Sequence, residues 1–141
     1  KQSDDLIIVD DYGHHPVEIE ATLSTAKEVW PDRRLIVVFQ PHRYSRTKHL
    51  MESFFSSFND ADVLLLLDIY SAGEKPEENV HSQKIAEGVK EFGHKNVEYI
   101  GETESVIPHL QNILKPGDIV LTLGAGNIGE LSHKLANRLN D

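Results

Sequence analysis

The sequence predicts an α/β fold, a mostly parallel sheet with helices on both faces, and three observations carry that expectation. Runs such as Leu35-Ile36-Val37-Val38-Phe39 and Ile119-Val120-Leu121-Thr122-Leu123 are almost wholly apolar, as strands covered on both faces must be. They alternate with stretches whose apolar residues recur at helical spacing. Strands and helices in this alternation call for parallel strands joined by right-handed crossovers. No internal repeat or linker divides the 141 residues, which read as one domain.

Leu6-Ile7-Ile8-Val9 is a short buried strand, followed by the polar stretch Asp10 to His15. Pro16 fits a first helical turn, Glu18 and Glu20 favour its positive end, and Ile19, Leu23, Ala26 and Trp30 form the face that meets the sheet. Pro31-Asp32 ends that helix, and Leu35 to Phe39 is the second strand. Beyond a loop from Gln40 to Arg46, a helix is expected over Thr47 to Phe58, with Leu50, Met51, Phe54, Phe55 and Phe58 as core. Ala61 to Leu67 is the third strand, ending at Asp68; Ser71, Gly73 and Pro76 then exclude a helix from the long polar loop over residues 69–79. In that loop Glu74, Glu77 and Glu78 are read as solvating a mobile segment. A helix over Ser82 to Phe92 turns Ile85, Val89 and Phe92 inward and stops at Gly93. Val97 to Ile100 is a strand, and Glu102 to Leu114 a helix in which Pro108 sits early enough to be tolerated. Ile119 to Leu123 is the last strand. Gly124-Ala125-Gly126-Asn127-Ile128-Gly129 opens a terminal helix with Leu131, Leu135 and Leu139 inward.

Composition narrows the function. The net charge of −9 argues against a broad nucleic-acid or anionic-membrane surface, while leaving room for a locally positive loop at Arg43 and Arg46. With no cysteine there is neither a disulfide framework nor thiolate chemistry. No apolar run approaches the roughly 18 residues of a membrane helix, and no secretory signal pattern is present. A start at Lys1 that runs almost at once into a strand reads as a domain excised from a longer protein.

The chemistry-bearing residues fall in two loops. Gln40-Pro41-His42-Arg43-Tyr44-Ser45-Arg46 follows a strand directly and precedes a helix, the place where open α/β sheets bind ligands and where unpaired helix N–H groups suit anions. Adjacent parallel strands starting near Leu6 and Leu35 would bring Tyr12 and His14 beside His42, Arg43 and Arg46. Guanidiniums present forked donors to carboxylate or phosphate, so this pair of loops reads as an anion-binding site rather than structural salt bridging. Gly124-x-Gly126-x-x-Gly129 has the strand-turn-helix setting of a dinucleotide site, but only twelve residues follow it, too few for the second strand and its ribose-binding acid. Its glycines are assigned to a close turn, helix-sheet packing or a phosphate contact. Adjacent His14 and His15, with Asp10, Asp11, His42 and Asp68, have no spacing that compels a metal.

At these same residues the sequence resembles a known family. Asp10-Asp11-Tyr12-Gly13-His14-His15-Pro16-Val17-Glu18-Ile19 and Val38-Phe39-Gln40-Pro41-His42-Arg43-Tyr44-Ser45-Arg46 resemble the C-terminal domain of the Mur ligases, specifically the alanine-adding branch. Asp68-Ile69-Tyr70-Ser71-Ala72-Gly73-Glu74 and Thr122 to Gly129 extend the resemblance, with Ser71 and Asn127 standing where proline and aspartate are frequent. The resemblance implies a Rossmann-like three-layer sandwich whose mainly parallel sheet includes one antiparallel strand. It also implies a three-domain cytoplasmic enzyme of peptidoglycan synthesis, of which this is the closing third domain, inert alone. The implied substrates are UDP-N-acetylmuramate, L-alanine and ATP, with Mg2+ held mainly by a central domain and no nucleic-acid or membrane partner. Tyr12 and His14 match positions lining the amino-acid and nucleotide side of the closed cleft. His42, Arg43 and Arg46 match the loop facing L-alanine and the reacting groups, and Asp11 a ribose contact or a residue ordering the first loop. Against this stand a nonenzymatic module binding a small anion and a stand-alone nucleotide-binding protein.

Overall fold

The computed structural model describes residues 6–11, 13, 15–94 and 96–139. Tyr12, His14 and the side chain of Leu139 lie outside the described residues. Five strands form one sheet in the order β1-β5-β2-β3-β4: β1 (Ile7–Asp11), β2 (Leu35–Phe39), β3 (Val63–Leu67), β4 (Val97–Gly101) and β5 (Ile119–Leu123). Every pairing among them is parallel, so the antiparallel strand implied by the resemblance is not among the described residues.

The strand order corrects one expectation. Strands β1 and β2 are not neighbours, because β5 lies between them and pairs with both. A strand that returns late in the chain can be inserted between two earlier ones, and nothing in local periodicity reveals it.

Alternation along the strands explains both cores. Leu35, Val37 and Phe39 of β2 and Leu64 and Leu66 of β3 face α1 (Pro16–Val29), α2 (Tyr44–Phe55) and α3 (Ser82–Glu91), meeting Ile19, Leu23, Phe54, Ile85 and Val89. Ile36, Val38, Leu65 and Leu67 point the other way, to Val106, Leu110, Leu131 and Leu135 of α4 (Val106–Ile113) and α5 (Ile128–Leu139). This period of two under two helical layers is the three-layer α/β sandwich the sequence predicts. Strand β2 is buried along its whole length, while β1, at an edge, is half-exposed.

Several boundaries shift. Helix α2 begins three residues before Thr47, and Phe58 leaves it yet stays buried, its ring 5.2 Å from that of Phe39. Phe92 lies past α3 and is 61% exposed rather than inward, touching only the edge of the core through Phe55 at 6.4 Å. Pro108 is the third residue of α4, where its missing N–H removes no helical bond; a single 3-10 turn, Thr103–Ser105, precedes it.

Candidate functional site

The carboxyl ends of the five strands are laced together by the backbone. Gly124 N–H donates to Asp11 O at 3.1 Å, Gln40 N–H to Leu123 O at 3.0 Å, Tyr70 N–H to Pro41 O at 2.8 Å and Asp68 N–H to Gly101 O at 2.8 Å. The loops after β1, β5, β2, β3 and β4 thus form one continuous rim. Helix α2 follows β2 on one face of the sheet and α5 follows β5 on the other, so the boundary between these strands is where the connections diverge, the usual place for a ligand crevice.

At that boundary the glycine turn packs rather than gapes. A Cβ on Gly124, whose φ is +151°, would meet Gln40 O at 2.9 Å, and one on Gly126 would meet the Tyr70 ring at 2.6 Å and Gln40 Oε1 at 2.7 Å. The glycines therefore let β5 pass close under the β2 and β3 loops. Gln40 Nε2 donates to Asn127 Oδ1 at 2.6 Å, while the buried Gln40 Oε1 finds no partner among the described residues. Sequence reasoning did not single out Gln40 or Asn127. An amide directly at the end of an all-apolar strand was the available signal.

The β2 loop is tighter than the sequence suggests. Tyr44, Ser45 and Arg46 belong to the first turn of α2, and Arg43 is its N-cap with φ +71°, ψ 142°. Few non-glycine residues adopt positive φ, and those that do are held there by their surroundings. Here Arg43 N–H donates to Tyr70 O at 2.7 Å, and Arg43 O accepts from Thr47 N–H at 3.2 Å and Thr47 Oγ1 at 2.7 Å. His42 forms a parallel bridge with Tyr70, and their rings stack with centroids 5.6 Å apart and planes 15° from parallel. The imidazole is thereby oriented, half-buried, at the head of the turn, while Arg43 is exposed and Arg46 half-buried. Neither arginine joins an ion pair with a described residue; those pairs use Lys27, Arg34, Lys48 and His109.

Asp11 Oδ1 accepts from Gly13 N–H at 2.7 Å. His15 caps α1 by accepting from Val17 N–H at 3.2 Å, while Glu18 reaches back to His15 N–H at 3.1 Å, a capping box. The rim is also braced at Asp68, whose Oδ1 accepts from the Tyr99 hydroxyl. Burial first, and then that bond to a carboxylate, pushes Tyr99 up to about 12.

The long loop after β3 corrects another expectation, since its acids do more than meet water. Glu74 accepts from Ser45 N–H at 3.1 Å and Ser45 Oγ at 2.6 Å, and Glu77 pairs with Lys48 Nζ at 3.6 Å. A hollow of about 340 Å³ bordered by Gln40, Asp68, Tyr70, Gly101 and Asn127 opens beside this loop. An apolar cleft of about 370 Å³ between β1 and α1, lined by Val9, Ala26 and Trp30, lies apart from the His42 to Arg46 turn. Among the described residues no three His, Asp or Glu side chains are grouped to hold a metal ion, and no helix is long and apolar enough to cross a membrane.

Comparison with known proteins adds to this geometry. The family described as "Mur ligase, glutamate ligase domain" matches residues 1–126. The chain is 56% identical over 135 residues to UDP-N-acetylmuramate–L-alanine ligase of Geotalea uraniireducens, and 51% over 136 residues to that of Geobacter sulfurreducens, covering 96% of this chain and 29% of each relative. The crystal structure of UDP-N-acetylmuramate-alanine ligase from Thermotoga maritima superposes with a TM-score of 0.74 at 26% identity, over 98% of this chain and 27% of that one. A murein peptide ligase from Psychrobacter arcticus, with a TM-score of 0.79 at 21% identity, shares the fold. The chain thus spans under a third of the length of the curated relatives it matches.

Proposed function

This chain belongs to the Mur ligase, glutamate ligase domain family, and from that premise we propose that it is the closing C-terminal domain of an ATP-dependent ligase joining L-alanine to UDP-N-acetylmuramate in peptidoglycan precursor synthesis. The observation that carries the reading is the β2 turn. Two guanidiniums outside any ion pair with described residues, and an oriented imidazole, stand at the carboxyl end of a fully buried central strand.

In the proposed reaction the muramoyl carboxylate takes the terminal phosphoryl group of ATP, releasing ADP. The alanine amine then adds to the acyl-phosphate carbonyl, the bond to the phosphate oxygen breaks, and loss of the amine proton leaves an amide and inorganic phosphate. Negative charge develops at both stages in a cleft from which closure excludes water. Arg43 and Arg46 offset it from positions fixed before the reaction, which is where such donors are most effective. His42, held by Tyr70, orients the alanine carboxylate or amine. Tyr12 and His14 line the amino-acid and nucleotide side, and Asp11 orders their loop. Mg2+ and most of the ATP contacts are assigned to the remainder of the protein. A domain that supplies only the closing face leaves the reactants unheld, so the chain alone is expected to be inert.

The test is ATP- and Mg2+-dependent ligation of L-alanine to UDP-N-acetylmuramate by this chain alone, and by the chain continuous with its natural upstream sequence. Activity only in the continuous protein is the expected result. A folded continuous protein that ligates no amino acid would overturn the proposal in favour of a small-anion-binding module, and alanine-dependent phosphate release by this chain alone would overturn its inertness.

A further inference from the structure

Helix α2 has no cap of its own. The first N–H groups of any helix lack intrahelical acceptors, and Ser, Thr, Asp or Asn at the N-cap ordinarily supplies one. Arg43 occupies that place and makes no side-chain cap bond. The acceptor comes instead from a residue remote in sequence. Glu74 Oε1 takes the N–H of Ser45, the second residue of α2, at 3.1 Å, and Glu74 Oε2 takes the Ser45 hydroxyl at 2.6 Å.

The loop is shaped to deliver this carboxylate. Ala72 and Gly73 have φ of +50° and +89°, turning the chain back on itself, and Glu74 N–H closes the turn on Ser71 O at 3.0 Å. The Ser45 hydroxyl, then the Ser45 N–H, hold the Glu74 carboxyl below its usual range against a smaller opposing effect of burial, and the Tyr44 N–H and the charge of Arg43 add lesser effects in the same direction as Ser45. Glu77 with Lys48 fastens the same loop one turn further along α2. All of this acts on the segment in which Arg43 is held at positive φ.

We infer that Glu74 is a positioning residue: its carboxylate, seated on Ser45, holds the Arg43 to Arg46 turn in the geometry that presents both guanidiniums to an incoming carboxylate or phosphate. The inference rests on the proposed ligase function and deepens it. Without Glu74 the turn loses the one side-chain cap it has among the described residues, and Arg43 relaxes toward more ordinary backbone angles that carry its guanidinium elsewhere. Displacements near 1 Å cost up to about a hundredfold in rate.

Glu74→Ala and Glu74→Gln, made in the chain continuous with its natural upstream sequence, test this by steady-state ligation and by melting temperature. The same variants of the 141-residue chain are followed by 15N NMR at the Ser45 amide and the Arg43 Nε–H. For Glu74→Ala, kcat/KM for L-alanine is expected to fall by about thirtyfold while KM for UDP-N-acetylmuramate stays within about twofold. Glu74→Gln, which keeps an acceptor for Ser45 N–H, should recover part of the loss, and the Ser45 amide should move in both. An unchanged kcat/KM in Glu74→Ala overturns the inference, as does a loss that tracks the melting temperature. A wild-type protein without ligase activity would instead remove the proposed function. The NMR would then decide: an unmoved Ser45 amide and Arg43 Nε–H in Glu74→Ala overturn the positioning role, and displacement of both sustains it.

Discussion

The loops after β1 and β2 bear similar residue types but are held in different ways. The β2 loop leaves a strand buried on all five residues and is fixed by the Tyr70 backbone, the Tyr70 ring, Thr47 and Glu74. The β1 loop leaves a half-exposed edge strand, and its contacts among the described residues include Asp11 with Gly13, the Gly124 N–H and the His15 cap. The difference teaches that, on the proposed function, the donors facing the reacting groups are mounted on the strand with neighbours on both sides. Strand β1 has a neighbouring strand on one side only.

The sharpest way to break this comparison is Arg46→Ala in the continuous protein. On a preorganised turn the substitution should lower turnover by about a hundredfold, with little change in urea unfolding. Retained turnover in steady-state assays would remove the β2 loop from the chemistry. Next is Gly124→Ala, which places a methyl group against Gln40 O at a backbone angle side chains rarely adopt. It should cost about 2 kcal/mol in urea denaturation and disturb both loops, because Gly124 touches both Asp11 and Gln40.

Smaller effects sharpen the contrast. Asp11→Ala removes one turn-ordering acceptor at an edge and should cost about 1 kcal/mol, whereas Asp11→Asn, which keeps the acceptor, should cost less; equal losses would mean the charge matters more than the turn. Tyr99, at the far side of the rim, reports rigidity there. Its folded pKa of about 12 lies above the unfolded value near 10, so its contribution to stability is complete below pH ~10 and is lost as pH rises through about 12. Phenolate absorbance should show a late step that Tyr99→Phe abolishes; a single titration near 10 would mean the Asp68 contact is loose.

Much of this was legible because it is local. Wholly apolar runs could only be doubly covered strands, and the spacing of Ile19, Leu23 and Ala26 could only be a helix face. The polar cluster at the end of β2 marked a candidate site for the same reason, since so many donors follow a core strand directly. What misled was equally specific: Phe92 continues the period of α3 in sequence but falls beyond its last turn, and the start of α2 was hidden because Arg43 is no ordinary cap.

By itself the sequence determined the layer architecture, the two loops that carry the polar groups, and the family. The tertiary structure alone decided that β5 separates β1 from β2, that Gln40 and Asn127 clasp across the gap, and that Glu74 caps a helix 29 residues away in sequence. The reason is physical. Periodicity and capping depend on neighbours along the chain, whereas strand order and cross-loop hydrogen bonds depend on which crossovers bury the most apolar surface, a property of the whole fold.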